Sequence, residues 1–191
     1  MNQNQESALK ILKGGGIIAY PTDTTFGIGC GILFTKSISR IQEIKGRDTQ
    51  KAMSIACSSL EMANKYADFS NLPKEFLDQI FPGPVTLLLA KTNLVSDAIT
   101  GGSHKVGLRI PNHPEILAII SELDCPIITT SANLSGHKDP VKDSEVELEI
   151  DYIYPGECPI KKPSTIIDIE SKTIIREGAD CTRYREALKL L

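Results

Sequence analysis

Polar side chains that could bind a small substrate stand directly after an apolar segment near the start of the chain. Residues 17–20 read IIAY, and residues 21–27 then read PTDTTFG, so that Thr22, Asp23 and Thr24 are adjacent. Small hydroxyl groups beside a carboxylate can hold the ammonium group and the hydroxyl of an amino acid. The alternative is that these side chains only stabilise a turn by bonding to their own backbone. Composition alone favours the turn.

A second group of side chains that could do chemistry is the tripeptide Lys45-Gly46-Arg47. Arginine offers a planar fork to phosphate oxygens and lysine a compact charge, so the pair could clamp a triphosphate. The alternative, which the tripeptide alone favours, is a pair of solvated charges at a helix end, each contributing about 0.3–1 kcal/mol to stability. Under either interpretation, neutral replacement of Lys45 is expected to leave the melting temperature almost unchanged.

Two further positions could bind an anion. Residues 131–136 read SANLSG directly after an apolar segment, and the glycine would let backbone amides approach a phosphate, although an ordinary serine-rich turn looks the same. Arg109 stands in the apolar run VGLRIP, and an arginine is costly to bury without an anionic partner. That partner could be a structural acid or a substrate carboxylate.

The signatures of nucleophilic and metal chemistry are absent from the sequence. There is no GxxxxGK[ST] phosphate loop, no GxGxxG after a strand, no HExxH and no GxSxG. The three histidines fall in predicted loops, and the five cysteines are far apart without CxxC pairs. We therefore expect no catalytic triad, no structural zinc and no disulfide framework.

The composition is that of an ordinary globular protein. The chain has 191 residues, of which 41% are hydrophobic and 24% are charged, and its formal net charge is -3. This charge excludes nucleic-acid binding by a strongly basic surface, so any RNA contact must be local. No apolar run approaches the length of a membrane span or a secretory signal, and we expect a cytoplasmic protein.

The spacing of apolar residues predicts the elements that must position these side chains. Helices are predicted at residues 6–13, 37–44, 60–67, 74–80, 114–123 and 183–191. Strands are predicted at residues 17–20, 53–56, 85–90, 106–110 and 126–130, with a hairpin at 165–169 and 173–175. The polar residues 137–163 are expected to form a long excursion. This irregular mixture predicts one α/β domain over residues 1–191 with a mixed sheet.

Taken in order, these segments resemble the YrdC/TsaC family over about residues 9–178. The blocks that carry the resemblance are GGIIAYPTDTTFGIGC, KGR, FPGPVTLLL, VGLRIPNHP, TTSANLSG, PSTIIDI and IIREG. The combination, rather than any one block, is specific. The chain departs from the family pattern at Phe26, Asp48, Ala52 and Asp139. An added carboxylate such as Asp48 would weaken the field of phosphate-binding cations.

The resemblance implies a fold and a set of site residues. The fold is a twisted mixed sheet flanked by helices, similar to that of dihydroxybutanone-phosphate synthase, with a large central cavity. Nucleotide binding is implied for Lys45, Arg47, Ser131, Asn133, Ser135 and Arg176, and catalysis for Lys45 and Arg47 among them. L-Threonine binding is implied for Thr24, Ser54, Arg109, Thr129 and Ser164. Mg²⁺ is expected with ATP, but no residue is assigned to a metal.

The activity that the resemblance implies is synthesis of L-threonylcarbamoyladenylate and pyrophosphate from L-threonine, bicarbonate and ATP. The product would serve threonylcarbamoyl-adenosine modification of tRNA next to the anticodon, through a downstream tRNA threonylcarbamoyl transferase complex. Weak RNA binding is a further expectation, and no membrane contact is expected. The alternatives are an RNA-binding paralogue without synthase activity and a carbamoyl-adenylate activity like that of a domain in hydrogenase maturation proteins.

Overall fold

A mixed sheet forms the centre of the molecule. The structure is a computed structural model that describes residues 1–46 and 51–191. The strands in these ranges are β1 (Ile18–Tyr20), β2 (Gly27–Gly29), β3 (Ser54–Ala56), β4 (Val85–Ala90), β5 (Lys105–Arg109), β6 (Ile127–Ser131), β7 (Tyr152–Ile153), β8 (Thr165–Asp168) and β9 (Thr173–Arg176). They form one nine-stranded sheet in the order β7-β1-β2-β6-β3-β5-β4-β8-β9.

The sheet is mixed, as the sequence predicts. Parallel pairs join β1 to β7, β3 to β5 and β4 to β8, and the other neighbouring strands are antiparallel. The helices that pack around it are α1 (Gln3–Lys13), α2 (Thr35–Ile44), α3 (Leu60–Ala63), α4 (Lys74–Ile80), α5 (Asp97–Thr100), α6 (Pro114–Leu123) and α7 (Cys181–Ala187). None of them is long and apolar enough to cross a membrane.

Helix α1 begins earlier than its apolar spacing predicts, because a capping box fixes its start. The Asn2 side chain accepts from the backbone N–H of Gln5, and the Gln5 side chain accepts from the backbone N–H of Asn2. Ala8 and Leu12 are fully buried on the face that packs against α6. An asparagine before a helix is a start signal that the spacing of apolar residues does not reveal.

Helix α5 and strand β2 are among the elements that are not predicted from the sequence. Helix α5 is a single short turn that ends at Gly101 in the left-handed conformation. Strand β2 consists of Gly27, Ile28 and Gly29, and it lies between β1 and β6 in the sheet. Glycines lower the strand propensity of such a segment, yet here a side chain has no room. A Cβ at Gly29 would lie 1.9 Å from the carbonyl oxygen of Ile128.

The excursion over residues 137–163 is bonded to the sheet along its length. It contains a 3₁₀ turn at Asp143–Glu145 and the strand β7, which pairs with β1. The backbone N–H of Phe26 donates to the carbonyl of Pro140 at 2.8 Å, and that of Ile160 donates to the carbonyl of Asp23 at 3.1 Å. The excursion therefore supports the outer side of the loop over residues 21–27.

We expect Gly29→Ala to destabilise the fold by about 3 kcal/mol or more, because the new methyl group would force β2 away from β6. Gly14→Ala is the matched control, since Gly14 ends α1 at a negative φ and a Cβ there would meet nothing closer than 3.5 Å. Urea unfolding of both variants beside the wild type measures the difference. Equal free energies of unfolding for the two variants would contradict the close approach of β2 and β6.

Candidate functional site

A half-open cleft of about 420 Å³ brings most of the predicted site residues together. Strands β3, β5 and β6, the loop after β6, and residues near β8 and β9 contribute to its wall. The predicted residues that line it are Lys45, Ser54, Arg109, Thr129, Ser131, Asn133, Ser135, Ser164 and Arg176. Thr24 is fully buried behind this wall, and Arg47 and Asp48 lie outside the described residues.

Lys45 is not the solvated charge at a helix end that its position suggested. It follows the last residue of α2, but only 3% of its surface is exposed. Its Nζ donates to the backbone carbonyl of Ser131, to that of Asn133 at 2.8 Å, and to Asn133 Oδ1 at 3.2 Å. The interpretation as a solvated helix-end charge is therefore wrong, because the ammonium group turns inward and joins the helix to the loop after β6.

The side chain of Asn133 organises the same loop. Its Oδ1 accepts from Ser131 Oγ at 2.6 Å as well as from Lys45 Nζ. Its Nδ2 donates to the carbonyl of His137 and to Asp139 Oδ1 at 3.0 Å. An amide has two donor hydrogens and two acceptor lone pairs, and here all four positions are used. Asn133 thus fixes where the cation of Lys45 and the hydroxyl of Ser131 stand at the cleft.

Ser135 enters the site mainly through its backbone. Its N–H donates to the carbonyl of Lys45 at 3.1 Å, and its side chain is exposed at the cleft mouth. Gly136, which follows, adopts a φ of 87°, so residues 131–136 form a turn closed onto the end of α2. The sequence allowed either an ordinary turn or an anion site here. The structure shows a turn, and its short hydroxyl and amide groups are also the groups expected of an anion site.

Arg109 has a structural acid as its partner. Its Nη2 donates to Asp23 Oδ1 at 2.8 Å and to Thr24 Oγ1 at 3.0 Å. Thr24 Oγ1 also bonds to Thr22 Oγ1 at 2.9 Å, and Thr22 closes the turn by donating to the carbonyl of Thr25. The turn that composition favours at residues 21–27 is therefore present. Thr24 does not line the cleft, and its hydroxyl contacts Arg109, which does.

A hydroxyl network that includes a residue not identified from the sequence lies on the other side of the cleft. Arg176 donates through Nε to the carbonyl of Ser164 at 3.0 Å and through Nη2 to Ser164 Oγ at 2.9 Å. Ser164 Oγ also bonds to Thr86 Oγ1 at 2.9 Å. Thr86 belongs to the apolar strand β4, and a single hydroxyl within that strand is the signal that could have identified it. Burial lowers the pKa of Arg176.

Neighbouring strands place Ser54 and Thr129 side by side. Ser54 pairs with Thr129 of β6 on one side and with Gly107 of β5 on the other. A Cβ at Gly107 would lie 2.3 Å from Ser54 Oγ, so the glycine provides the space that the Ser54 hydroxyl occupies. This close approach explains the glycine within the strand VGLR and places the Ser54 hydroxyl in the cleft wall.

The described residues that line the cleft give it a net positive charge and include no cysteine. Among the described residues that line it, the cationic side chains are Lys45, Lys51, Arg109 and Arg176, and the one carboxylate is that of Asp139. Burial raises the pKa of Cys30 and of Cys57 to about 12, so both thiols stay protonated at neutral pH. Within residues 1–46 and 51–191 no group of three histidine, cysteine or acidic side chains is arranged to hold a metal ion.

Comparison with known proteins finds similarity along nearly the whole chain. Residues 10–178 match the family model Sua5/YciO/YrdC, described as telomere recombination. A Vibrio campbellii protein named threonylcarbamoyl-AMP synthase is 33% identical over 184 residues, which cover 92% of this chain and 100% of that protein.

Two solved structures share the fold. P. abyssi Sua5 complexed with L-threonine superposes with a TM-score of 0.83 at 32% identity, over 91% of this chain. The match covers 54% of the Sua5 chain, so this chain spans about half of that protein's length. E. coli YciO superposes with a TM-score of 0.83 at 26% identity, over 96% of this chain and 95% of that one.

The buried position of Lys45 changes the expected effect of replacing it. Lys45→Ala should lower the free energy of unfolding by about 1–3 kcal/mol, because it leaves two carbonyls and the Asn133 Oδ1 without this donor. The exposed Lys10, in the last turn of α1, is the control, and Lys10→Ala should change stability by less than about 0.5 kcal/mol. Urea unfolding compares the two, and a Lys45 variant as stable as the Lys10 variant would contradict these contacts.

Proposed function

The chain belongs to the Sua5/YciO/YrdC family, and from this premise we propose that it is a threonylcarbamoyl-AMP synthase. The reaction joins L-threonine, bicarbonate and ATP into L-threonylcarbamoyladenylate and releases pyrophosphate. The observation that carries the proposal is the cleft, which is lined both by cations suited to phosphates and by small hydroxyls suited to an amino acid.

The chemistry needs alignment and charge stabilisation rather than a protein nucleophile. The amine of threonine attacks the carbon of bicarbonate, and the new C–N bond forms as a C–OH bond breaks, so that a carbamate and water are produced. A carbamate oxygen then attacks the α-phosphorus of ATP. The new bond between this oxygen and the phosphorus forms as the bond from the phosphorus to the bridging oxygen breaks, and pyrophosphate leaves with that oxygen. Preorganised cations and hydrogen-bond donors can stabilise the charge that develops on these oxygens. A cleft without a thiolate but with several cations fits this requirement.

Nucleotide binding is proposed for the side of the cleft that the loop after β6 forms. Lys45 and Arg47 act on the phosphates as the catalytic cations, and Arg47 lies outside the described residues. Ser131, Asn133 and Ser135 complete this group. Three protein oxygens accept from the ammonium group of Lys45, so Lys45 would act on the phosphates through a positive charge that is already held in place.

Arg176 is proposed to bind the nucleotide from the opposite side. It lines the cleft, where burial lowers its pKa, the carboxylate of Asp139 opposes that shift and the cation of Arg109 adds to it. Its guanidinium is held by two bonds to Ser164, which leaves its position fixed.

L-Threonine binding is proposed for the strand-borne side of the cleft. Arg109 would hold the substrate carboxylate, because it is the cation set into the β5 wall beside the hydroxyls. Ser54, Thr129 and Ser164 would contact the amine and the hydroxyl of threonine. Thr24 contributes through its bond to Arg109 rather than by direct contact.

Mg²⁺ fits the cleft as a partner of the nucleotide. The carboxylate of Asp139 borders the cleft, and magnesium is commonly bound by one or two carboxylates together with substrate phosphates. When bound, the ion would neutralise charge on the phosphates. Asp139 would be the protein ligand among the described residues of the wall.

The product would be passed to a tRNA threonylcarbamoyl transferase complex for modification of the adenosine next to the anticodon. We propose that the protein acts in the cytoplasm, where ATP, amino acids and tRNA occur together. A net charge of -3, with four cationic side chains among the described residues that line the cleft, supports at most a local, weak contact with RNA.

We expect pyrophosphate release to require L-threonine, bicarbonate and Mg·ATP together, with the adenylate detected by mass. L-Valine is the matched substrate control, since it has the shape of threonine without the hydroxyl. The rate of pyrophosphate release with L-valine should be lower than that with L-threonine, by on the order of a hundredfold or more, if Ser54, Thr129 and Ser164 bind that hydroxyl.

Two results would contradict the proposal. Pyrophosphate release that is indifferent to threonine and bicarbonate would exclude the synthase reaction. Absence of product together with salt-dependent binding of RNA would favour the alternative of an RNA-binding paralogue.

A further inference from the structure

The buried carboxylate of Asp23 is not assigned a role in the reaction by the site described above. We infer that Asp23 is the positioning residue for Arg109, fixing the guanidinium in the orientation that receives the carboxylate of the amino-acid substrate. The inference rests on the proposed function and names a residue that acts on that substrate through another.

The contacts of Asp23 fix its own position first. Its Oδ1 accepts from Arg109 Nη2 at 2.8 Å, and its Oδ2 accepts from the backbone N–H of Asn112 at 3.2 Å. Its backbone carbonyl accepts from the N–H of Ile160 at 3.1 Å. Only 4% of the Asp23 side chain is exposed, so the carboxylate has little freedom to turn.

Arg109 is held on one nitrogen and unsatisfied on another. Its Nη2 donates to both Asp23 and Thr24, whereas its buried Nε has no hydrogen-bond partner. A guanidinium can bond to a carboxylate through two of its nitrogens at once, and a buried donor without a partner costs free energy. A carboxylate of a ligand in the cleft would offer a further acceptor to this guanidinium, which lines the cleft wall.

The charge of Asp23 also explains why Arg109 can be buried in the absence of a ligand. Isolated burial of an arginine is very costly, and the adjacent carboxylate offsets that cost. A substrate carboxylate would then add to an existing pair without replacing Asp23. The orientation of Arg109 would be set before the substrate arrives, which reduces the ordering cost of binding.

The test is Asp23→Asn in the full chain. Both contacts on the Asp23 side chain come from donors, and an amide has one oxygen and one NH₂ group, so one contact must be lost. We expect the KM for L-threonine to rise roughly ten- to a hundredfold, with kcat at saturating threonine and the KM for ATP within about twofold of the wild type.

Asp151→Asn is the matched control. Asp151 accepts from Arg40 Nη1 at 2.8 Å and from the backbone N–H of Ile17 at 2.7 Å, the same two kinds of donor that Asp23 has. It does not belong to the wall of the cleft. Both KM values should remain at their wild-type levels in this variant.

A second comparison is needed if the Asp23→Asn protein folds poorly, because in that variant Arg109 is left without its counter-charge. The double variant Asp23→Asn/Arg109→Gln carries no charge at the pair and is compared with Arg109→Gln alone. If Asp23 acts through Arg109, the two proteins should have the same KM for threonine within about twofold. A much higher KM in the double variant would overturn the inference.

The outcomes separate the inference from the proposed function. If the wild type releases pyrophosphate in a threonine-dependent manner but Asp23→Asn has an unchanged KM for threonine, the inference is wrong and the synthase reaction stands. An equal rise of the KM for ATP and for threonine would also overturn it, since that pattern indicates general distortion. If pyrophosphate release by the wild type does not depend on threonine, the proposed function itself is contradicted, whatever the variants show.

Discussion

Burial of positive charge in the wall of the cleft is the constraint that organises this protein. Lys45 and Arg109 are both more than nine-tenths buried, and a buried cation is stable only where oxygen atoms surround it. The chain supplies these oxygens from two loops. Carbonyls of residues 131 and 133 bond to Lys45, and the side chains of Asp23 and Thr24 bond to Arg109. Both loops begin or end at strands of the central sheet, so the sheet fixes the spacing of the charges.

This constraint connects structure to chemistry. A reaction on the α-phosphorus of ATP generates charge on oxygens outside the protein, and fixed donors stabilise that charge without reorganising during the step. The described residues of the cleft wall include fixed cations and hydroxyls and no cysteine, a combination that suits electrostatic catalysis rather than covalent catalysis by a thiol. The carboxylate of Asp139 in the same wall opposes the cations locally, and in a magnesium-dependent reaction it would instead contribute a ligand.

The regular part of the fold was predictable because its elements bury apolar residues that recur at strand or helix spacing. Strand β4 and helices α4 and α6 have the predicted bounds. Strand β2 could not be found in this way, because Gly27 and Gly29 have low strand propensity and their position depends on the close approach of β6. Helix α3 ends at Ala63, four residues before the predicted end, because Ala67 forms a bridge with Lys91 instead of continuing the helix. Long-range pairing decided both cases.

The sequence by itself determined the fold class, the family and the types of residue at the site, since these follow from apolar periodicity and from blocks in a fixed order. It did not determine which way those residues face. Lys45 follows a helix end where solvated lysines are common, and only the packing of the loop after β6 against α2 turns it inward. The partner of Arg109 was open between an acid of the chain and a substrate. Asp23 lies 86 residues away in the chain, so only the tertiary structure could bring the two together.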